Sequence, residues 1–299
     1  MKLDRGTAAL VVVISGVLFG TTGTTSILAD VQAQPTAIGA ARLIVGSIGL
    51  VAFSVYQRGI SELMTLWKRP RVWIMGLSVS SYMLSFFEAV KMAGAAVAAL
   101  VAISLAPMIA GAIARAFGKP WPGKVWAFST GLAVLGVVLL SAPNSTDSGN
   151  SKVIGALFAV IASASYAFYT VVGAQLVDDN HNATDGLAAS FSIGAVLLIP
   201  FLVMDSGWIF TGRGITLALW LGLASTTLAY ALFGIGLTYL APGVVATLLL
   251  SEPATATLLG VFVLHEDMST RGWLGCLMIL IGLVMVSVYE RRKSEVIAF

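Results

Sequence analysis

Ten apolar stretches, each long enough to cross a bilayer as a helix, leave this chain few choices of fold. They lie at roughly 7–28, 35–56, 72–92, 95–115, 124–142, 152–174, 184–204, 215–238, 242–264 and 271–289. An α-helix rises about 1.5 Å per residue, so about 20 residues match a hydrocarbon core roughly 30 Å thick. No water pairs with backbone N–H and C=O groups in that core, so each span must satisfy its own as a helix. Charged residues make up 10% of the chain, against about 25% in a soluble domain. The expected fold is all-α integral membrane, with ten transmembrane helices.

The charges that remain set topology. With the N-terminus in the cytoplasm, 12 of the 17 Lys and Arg residues fall on the cytoplasmic side, four on the other side, and Arg42 inside a span. This asymmetry predicts a multi-pass protein of the plasma (inner) membrane with both termini cytoplasmic. The basic residues are spread between apolar runs and form no patch, which argues against a nucleic-acid partner. The apolar run after Lys2 and Arg5 is too long for a cleaved signal, and is read as a retained first span. Cys276 is the sole cysteine and the two histidines, His181 and His265, lie far apart, so no disulfide, metal site or cofactor is expected.

The polar stretch between Ser141 and Lys152 falls midway along the chain. It divides the chain into an N-terminal repeat (1–143), a periplasmic linker (144–151), a C-terminal repeat (152–289) and a cytoplasmic tail (290–299). Asn144-Ser145-Thr146 in the linker has the form of a glycosylation sequon. A shift of 146 aligns residues 72–141 with 218–287 without a gap and sets Pro107 against Pro253, Gly76 against Gly222 and Gly136 against Gly282. Five helices per half is an odd number, so homologous halves would insert with opposite topology, as two inverted five-helix repeats.

The ninth span holds the pair Glu252-Pro253 near its middle. A carboxylate there costs a few kcal/mol in lipid and should face a partner or water. Pro253 cannot donate to the Leu249 carbonyl and should break the helix, and Pro107 should do the same in the fourth span. Polar and aromatic residues at helical spacing mark faces that could line a pathway. These are Phe19 and Thr22 in the first span; Ser78, Tyr82, Ser85, Phe86 and Glu88 in the third; and Ser104 and Met108 beside Pro107. Tyr166 and Tyr169 follow in the sixth span, Tyr230 and Phe233 in the eighth, and Thr247 and Ser251 in the ninth. Arg42 is expected to form a structural ion pair with Glu88 or Glu252, and all seven tryptophans to anchor at the interfaces. Gly16 and Gly20 form a GxxxG packing seam, and alanines from Ala95 to Ala114 a small-residue stripe.

Several of these features together resemble the drug/metabolite transporter superfamily, in its EamA-type branch. They are the ten spans in two halves, GVLFGTT at 16–22, Ala41-Arg42 early in the second span, and the two half-endings APMIAGAIARAFGKPWPGKVWAFSTGLAVLGVVLL and SEPATATLLGVFVLHEDMSTRGWLGCLMILIGLVM. In the second ending the proline, Glu266, Gly275 and Gly282 stand where the family pattern has them; in the first, Pro120 occupies the place of the matching glutamate. Within the branch the likeness is greatest to YddG-type exporters of aromatic amino acids. The resemblance implies a secondary transporter working by alternating access around a central cavity.

The residues point the same way. No catalytic signature of the HExxH, Gly-x-Ser-x-Gly, P-loop or CxxC kind occurs. The candidate walls are aromatic and hydroxyl-bearing, which suits a small, largely apolar solute such as an aromatic amino acid, a related metabolite or a drug. A proton bound by Glu252 is the candidate coupling ion. The competing readings are a structural or receptor subunit without flux, and a membrane enzyme built on His265-Glu266-Asp267.

Overall fold

The computed structural model describes residues 3–93, 95–141, 150–178, 181–265 and 269–297, and these are helices and short connections with no strand among them. The helices are α1 (Arg5–Ala29), α2 (Pro35–Arg58), α3 (Ile60–Trp67), α4 (Pro70–Ala93), α5 (Ala95–Ala116), α6 (Lys124–Ser141) and α7 (Asn150–Asp178). They continue with α8 (Ala183–Met204), α9 (Gly212–Leu219), α10 (Ala229–Tyr239), α11 (Pro242–Leu248), α12 (Ser251–Val263) and α13 (Thr270–Ile297). A π-helical stretch, Trp220–Leu228, joins α9 to α10 into one run. Among the described residues eight runs are long and apolar enough to cross a membrane, and Val101–Ala116 and Lys124–Leu139 are shorter apolar helices.

Helix ends follow local chemistry. The Asp4 side chain accepts from the N–H groups of Gly6 and Thr7 at the start of α1, Asn182 does so for Thr184 in α8, and Thr211 for Gly214 in α9. The hydrogen bond from the Thr7 side chain leads in holding the Asp4 carboxyl below its ordinary range. Pro35 and Pro242 open α2 and α11, where a missing N–H leaves nothing unpaired.

Three features of the helices bear on the divisions read from the sequence. The tail from 290 is helical as far as Ile297, because α13 continues beyond its apolar segment. Of the linker, 144–149 lies outside the described residues, with the sequon, and Asn150 and Ser151 already belong to α7. The short helix α3, which the hydropathy pattern does not mark as a span, packs Leu63 and Leu66 inward.

The two ends of the bundle are tied by different polar contacts. At one end Arg5 pairs with Glu290 at 3.3 Å, so the first and last spans meet there. Arg58 and Ser54 of α2 reach Asp185 of α8 at 3.5 and 2.7 Å, and Glu62 of α3 meets His181 at 2.7 Å. At the other end Asp30 pairs with Arg213 at 3.7 Å and Asp205 accepts from the Gln34 N–H at 2.6 Å.

Candidate functional site

The site is built around a broken helix. The ninth span is two half-helices, α11 and α12, separated at Leu249–Leu250. Pro253 has no N–H for the Leu249 carbonyl, its partner in a continuous helix, and that carbonyl instead accepts from the Glu252 N–H at 2.9 Å. Glu252 therefore sits in the first turn of α12, where the helix dipole favours a carboxylate. The span α1 holds the break from outside. A Cβ on Gly16 would lie 2.0 Å from the Ser251 Oγ, and one on Gly20 would lie 2.7 Å from the Glu252 carbonyl oxygen. The GxxxG seam thus lets α1 touch the backbone at the break, and Ser251 Oγ donates to the Val13 carbonyl at 3.2 Å.

Aromatic rings from α1, α4, α7 and α10 close around this point. Tyr169 of α7 and Tyr230 of α10 are buried, with their hydroxyls 3.0 Å apart. Ring centroids of Phe19 and Phe233 lie 4.8 and 5.6 Å from that of Tyr230. Tyr82 of α4 lies 5.9 Å from Tyr166 and 6.0 Å from Phe86. Tyr82, Tyr166 and Tyr230 are all within electrostatic reach of Glu252, and Arg42 is the opposite charge that reaches it. Three buried hydroxyls, those of Ser104, Ser163 and Tyr166, have no hydrogen-bond partner among the described residues, an unusual state for buried polar atoms.

Arg42 is in no ion pair among the described residues. Its Nε donates to Thr226 Oγ1 at 3.0 Å and its Nη2 to the Ser225 carbonyl at 3.1 Å, both in the π-helical stretch. Its guanidinium carbon lies 5.8 Å from the centroid of the Phe19 ring. The expected pairing with Glu88 or Glu252 is replaced because the irregular helix offers Arg42 hydrogen-bond acceptors of its own. Glu88 is half-buried on α4 and has no ion-pair partner among the described residues.

Other expected wall residues separate from this group. Met108 is 55% exposed and borders an apolar groove of about 520 Å³ with Trp121 and Val134, away from the tyrosines. Thr247 is fully buried but its hydroxyl is committed to Trp126 Nε1, Thr130 Oγ1 and the Gly243 carbonyl. Ser251 bonds the α1 backbone and Ser78 bonds back to the Ile74 carbonyl. Ser85 is buried on α4, one turn from Tyr82. Thr22 meets the Ser225 hydroxyl at 3.1 Å, beside Arg42's anchor. The expected break at Pro107 is absent: α5 runs through it from Ala95 to Ala116.

Two residues of consequence carried little sequence signal. Phe191 of α8 is fully buried, 4.4 Å from Tyr230 between ring centroids, yet stands in an apolar run like any core residue. Trp126 is 2% exposed and bonded to Thr247. Its place near a span end suggested an interfacial anchor, but the glycines Gly111 and Gly243 leave room for its ring inside the bundle. No group of three or more His, Cys, Asp or Glu able to hold a metal occurs among the described residues. Glu266 and Asp267 lie outside the described residues.

The sequence profile of the EamA-like transporter family matches residues 6–142 and 153–288. The chain is 38% identical to the uncharacterized transporter YwfM of Bacillus subtilis (strain 168) over 290 residues, covering 96% of this chain and 95% of that one. It is 28% identical to the threonine/homoserine exporter RhtA of Salmonella typhimurium (strain SL1344) over 170 residues, 55% of each chain. A crystal structure with 20% sequence identity superposes with a TM-score of 0.80 over 97% of this chain and 99% of that one, a likeness of fold.

Proposed function

The chain belongs to the EamA-like transporter family, and from that footing we propose that it is a plasma-membrane secondary transporter exporting small amphipathic solutes, aromatic amino acids foremost, with both termini in the cytoplasm. The observation that carries this reading is the separation of Arg42 and Glu252. Two opposite charges reach one cluster of aromatic rings without a direct pair between them among the described residues. An α-amino acid brings a carboxylate for the first and an ammonium for the second, and both charges are then satisfied away from water. The rings of Tyr82, Phe86 and Tyr166, and the Tyr166 hydroxyl with no hydrogen-bond partner among the described residues, suit an aromatic side chain. That RhtA is an exporter of threonine and homoserine supports amino acids as the class.

The packing between halves supports an inverted repeat and alternating access. The span α4 packs on α7, and the corresponding eighth and first spans, α10 and α1, pack on each other. Likewise α5 on α7 is matched by α12 on α1, while α6 packs on α13 and α2 on α8, each helix on its own counterpart. Such paired contacts allow one half to rock against the other around a fixed centre.

The test is counterflow of labelled phenylalanine, tryptophan and threonine in proteoliposomes. Saturable exchange with aromatic amino acids preferred is the expected result; an empty-vesicle signal for all three removes the reading. Glu252→Gln should abolish the response of flux to an imposed pH gradient if this carboxylate carries the proton, and an unchanged response assigns coupling elsewhere.

A further inference from the structure

The π-helical stretch Trp220–Leu228 does more than connect α9 to α10. Nine residues in this register are rare, and such insertions cluster at functional sites. Where the stretch returns to α-helix, the Ala229 N–H bonds the carbonyls of Ala224 and Thr226 and passes over that of Ser225. In a regular helix Ala229 would bond Ser225. The skipped carbonyl is the one that accepts from Arg42 Nη2 at 3.1 Å.

Thr226 supplies the second constraint. Its hydroxyl donates to the Leu221 carbonyl, five residues back, at 2.8 Å. With its only proton committed, the oxygen can serve Arg42 Nε at 3.0 Å only as an acceptor. Thr227 repeats the five-residue step to the Gly222 carbonyl at 3.1 Å and also reaches the Gly46 carbonyl of α2 at 3.1 Å. Close approach of the two helices depends on glycine. A Cβ on Gly46, one turn after Arg42, would lie 2.3 Å from Thr226 Cγ2, and one on Gly222 would lie 2.3 Å from Val45 Cγ1.

The guanidinium is therefore held on one edge by Thr226 and Ser225 and beside its face by Phe19. Its Nη1 has no hydrogen-bond partner among the described residues. With the remaining Nη2 hydrogen it presents a two-donor fork, the geometry that a carboxylate accepts bidentately. We propose that the π-helical stretch is a positioning element for Arg42, with Thr226 as the positioning residue that makes the site select solutes bearing a carboxylate. This rests on the amino-acid reading above and adds to it the residues that set headgroup specificity, which lie in the opposite half of the chain from the arginine.

The experiment compares phenylalanine with phenethylamine, which has the same ring and ammonium but no carboxylate, for the wild type, Thr226→Val and Thr226→Ser in proteoliposomes. Valine keeps the methyl that packs on Gly46 and removes the hydroxyl; serine does the reverse. The preference of the wild type for phenylalanine should fall about tenfold in Thr226→Val, the size of one lost hydrogen bond to a charged group, through a higher KM. Thr226→Ser should restore it. An unchanged preference in a Thr226→Val protein that unfolds at the wild-type temperature overturns the proposal. So does a parallel loss for both solutes, or a Thr226→Ser defect as large as that of Thr226→Val, which would make the contact one of packing. A wild type that carries phenylalanine while Thr226→Val behaves identically removes only the positioning role; a wild type that carries no amino acid removes the underlying function as well.

Discussion

The fourth and ninth spans align on a shared proline, yet one is whole and the other is broken. Pro107 lies inside α5, which continues on both sides of it. Pro200 in α8 behaves the same way. Ahead of Pro253 the helix stops at Leu249–Leu250 and restarts at Ser251. Proline removes one N–H and crowds one carbonyl in each case, so the proline alone does not decide. What differs is the neighbour. At the ninth span the glycines of α1 bring a second backbone against the break, and Ser251 bonds it at 3.2 Å. Around Pro107 the alanines Ala102, Ala106 and Ala110 are buried along a continuous helix, and the Ser104 hydroxyl has no hydrogen-bond partner among the described residues. A carboxylate, a break and a supporting helix coincide only in the second of these two aligned spans.

Substitutions at matched positions can break this comparison. The largest difference is expected for the prolines themselves. Pro253→Ala restores the donor for Leu249, favours a continuous helix and should lower flux more than about tenfold without unfolding the protein. Pro107→Ala should keep flux and gain about 1–3 kcal/mol, as expected for relieving a helix-interior proline. Flux and thermal unfolding in detergent decide both, and equal loss of flux would mean that the two prolines are equivalent. Next comes the support. Gly16→Ala places a methyl 2.0 Å from Ser251 Oγ and should cost about 1–3 kcal/mol. Gly131→Ala in α6, where nothing lies within 4 Å, should be neutral by the same melt. The smallest contrast is between two serines. Ser251→Ala loses the bond to the Val13 carbonyl and should cost about 1 kcal/mol, whereas Ser104→Ala removes an unpaired buried hydroxyl and should be neutral or stabilising by up to about 1 kcal/mol. A reversed order would show that the hydroxyl of Ser104 finds a partner in another state.

Helix positions were legible because a residue's burden in lipid is local. Each span must close its own backbone hydrogen bonds, so length and hydropathy suffice to locate it, and each of the ten apolar runs is helical, with α13 running on to Ile297 and α3 lying outside them. The aromatic group was also legible in outline: Phe19, Tyr82, Phe86, Tyr166, Tyr169, Tyr230 and Phe233 do come together. Met108, Thr247 and Ser78 shared their spacing and polarity but not their surroundings. Helical periodicity says which residues share a face without saying which helix covers that face.

The amino-acid sequence by itself determined that this chain lives in a bilayer, how many apolar runs it holds and where its rare intramembrane charges lie, because the solvation cost of each group is paid where that group stands. Only the tertiary structure decided that Arg42 would bond the π-helical stretch, that Trp126 would turn inward, and that one proline helix would break while its counterpart held. Those outcomes depend on hydrogen-bond partners more than 100 positions away in the chain, which no local pattern encodes.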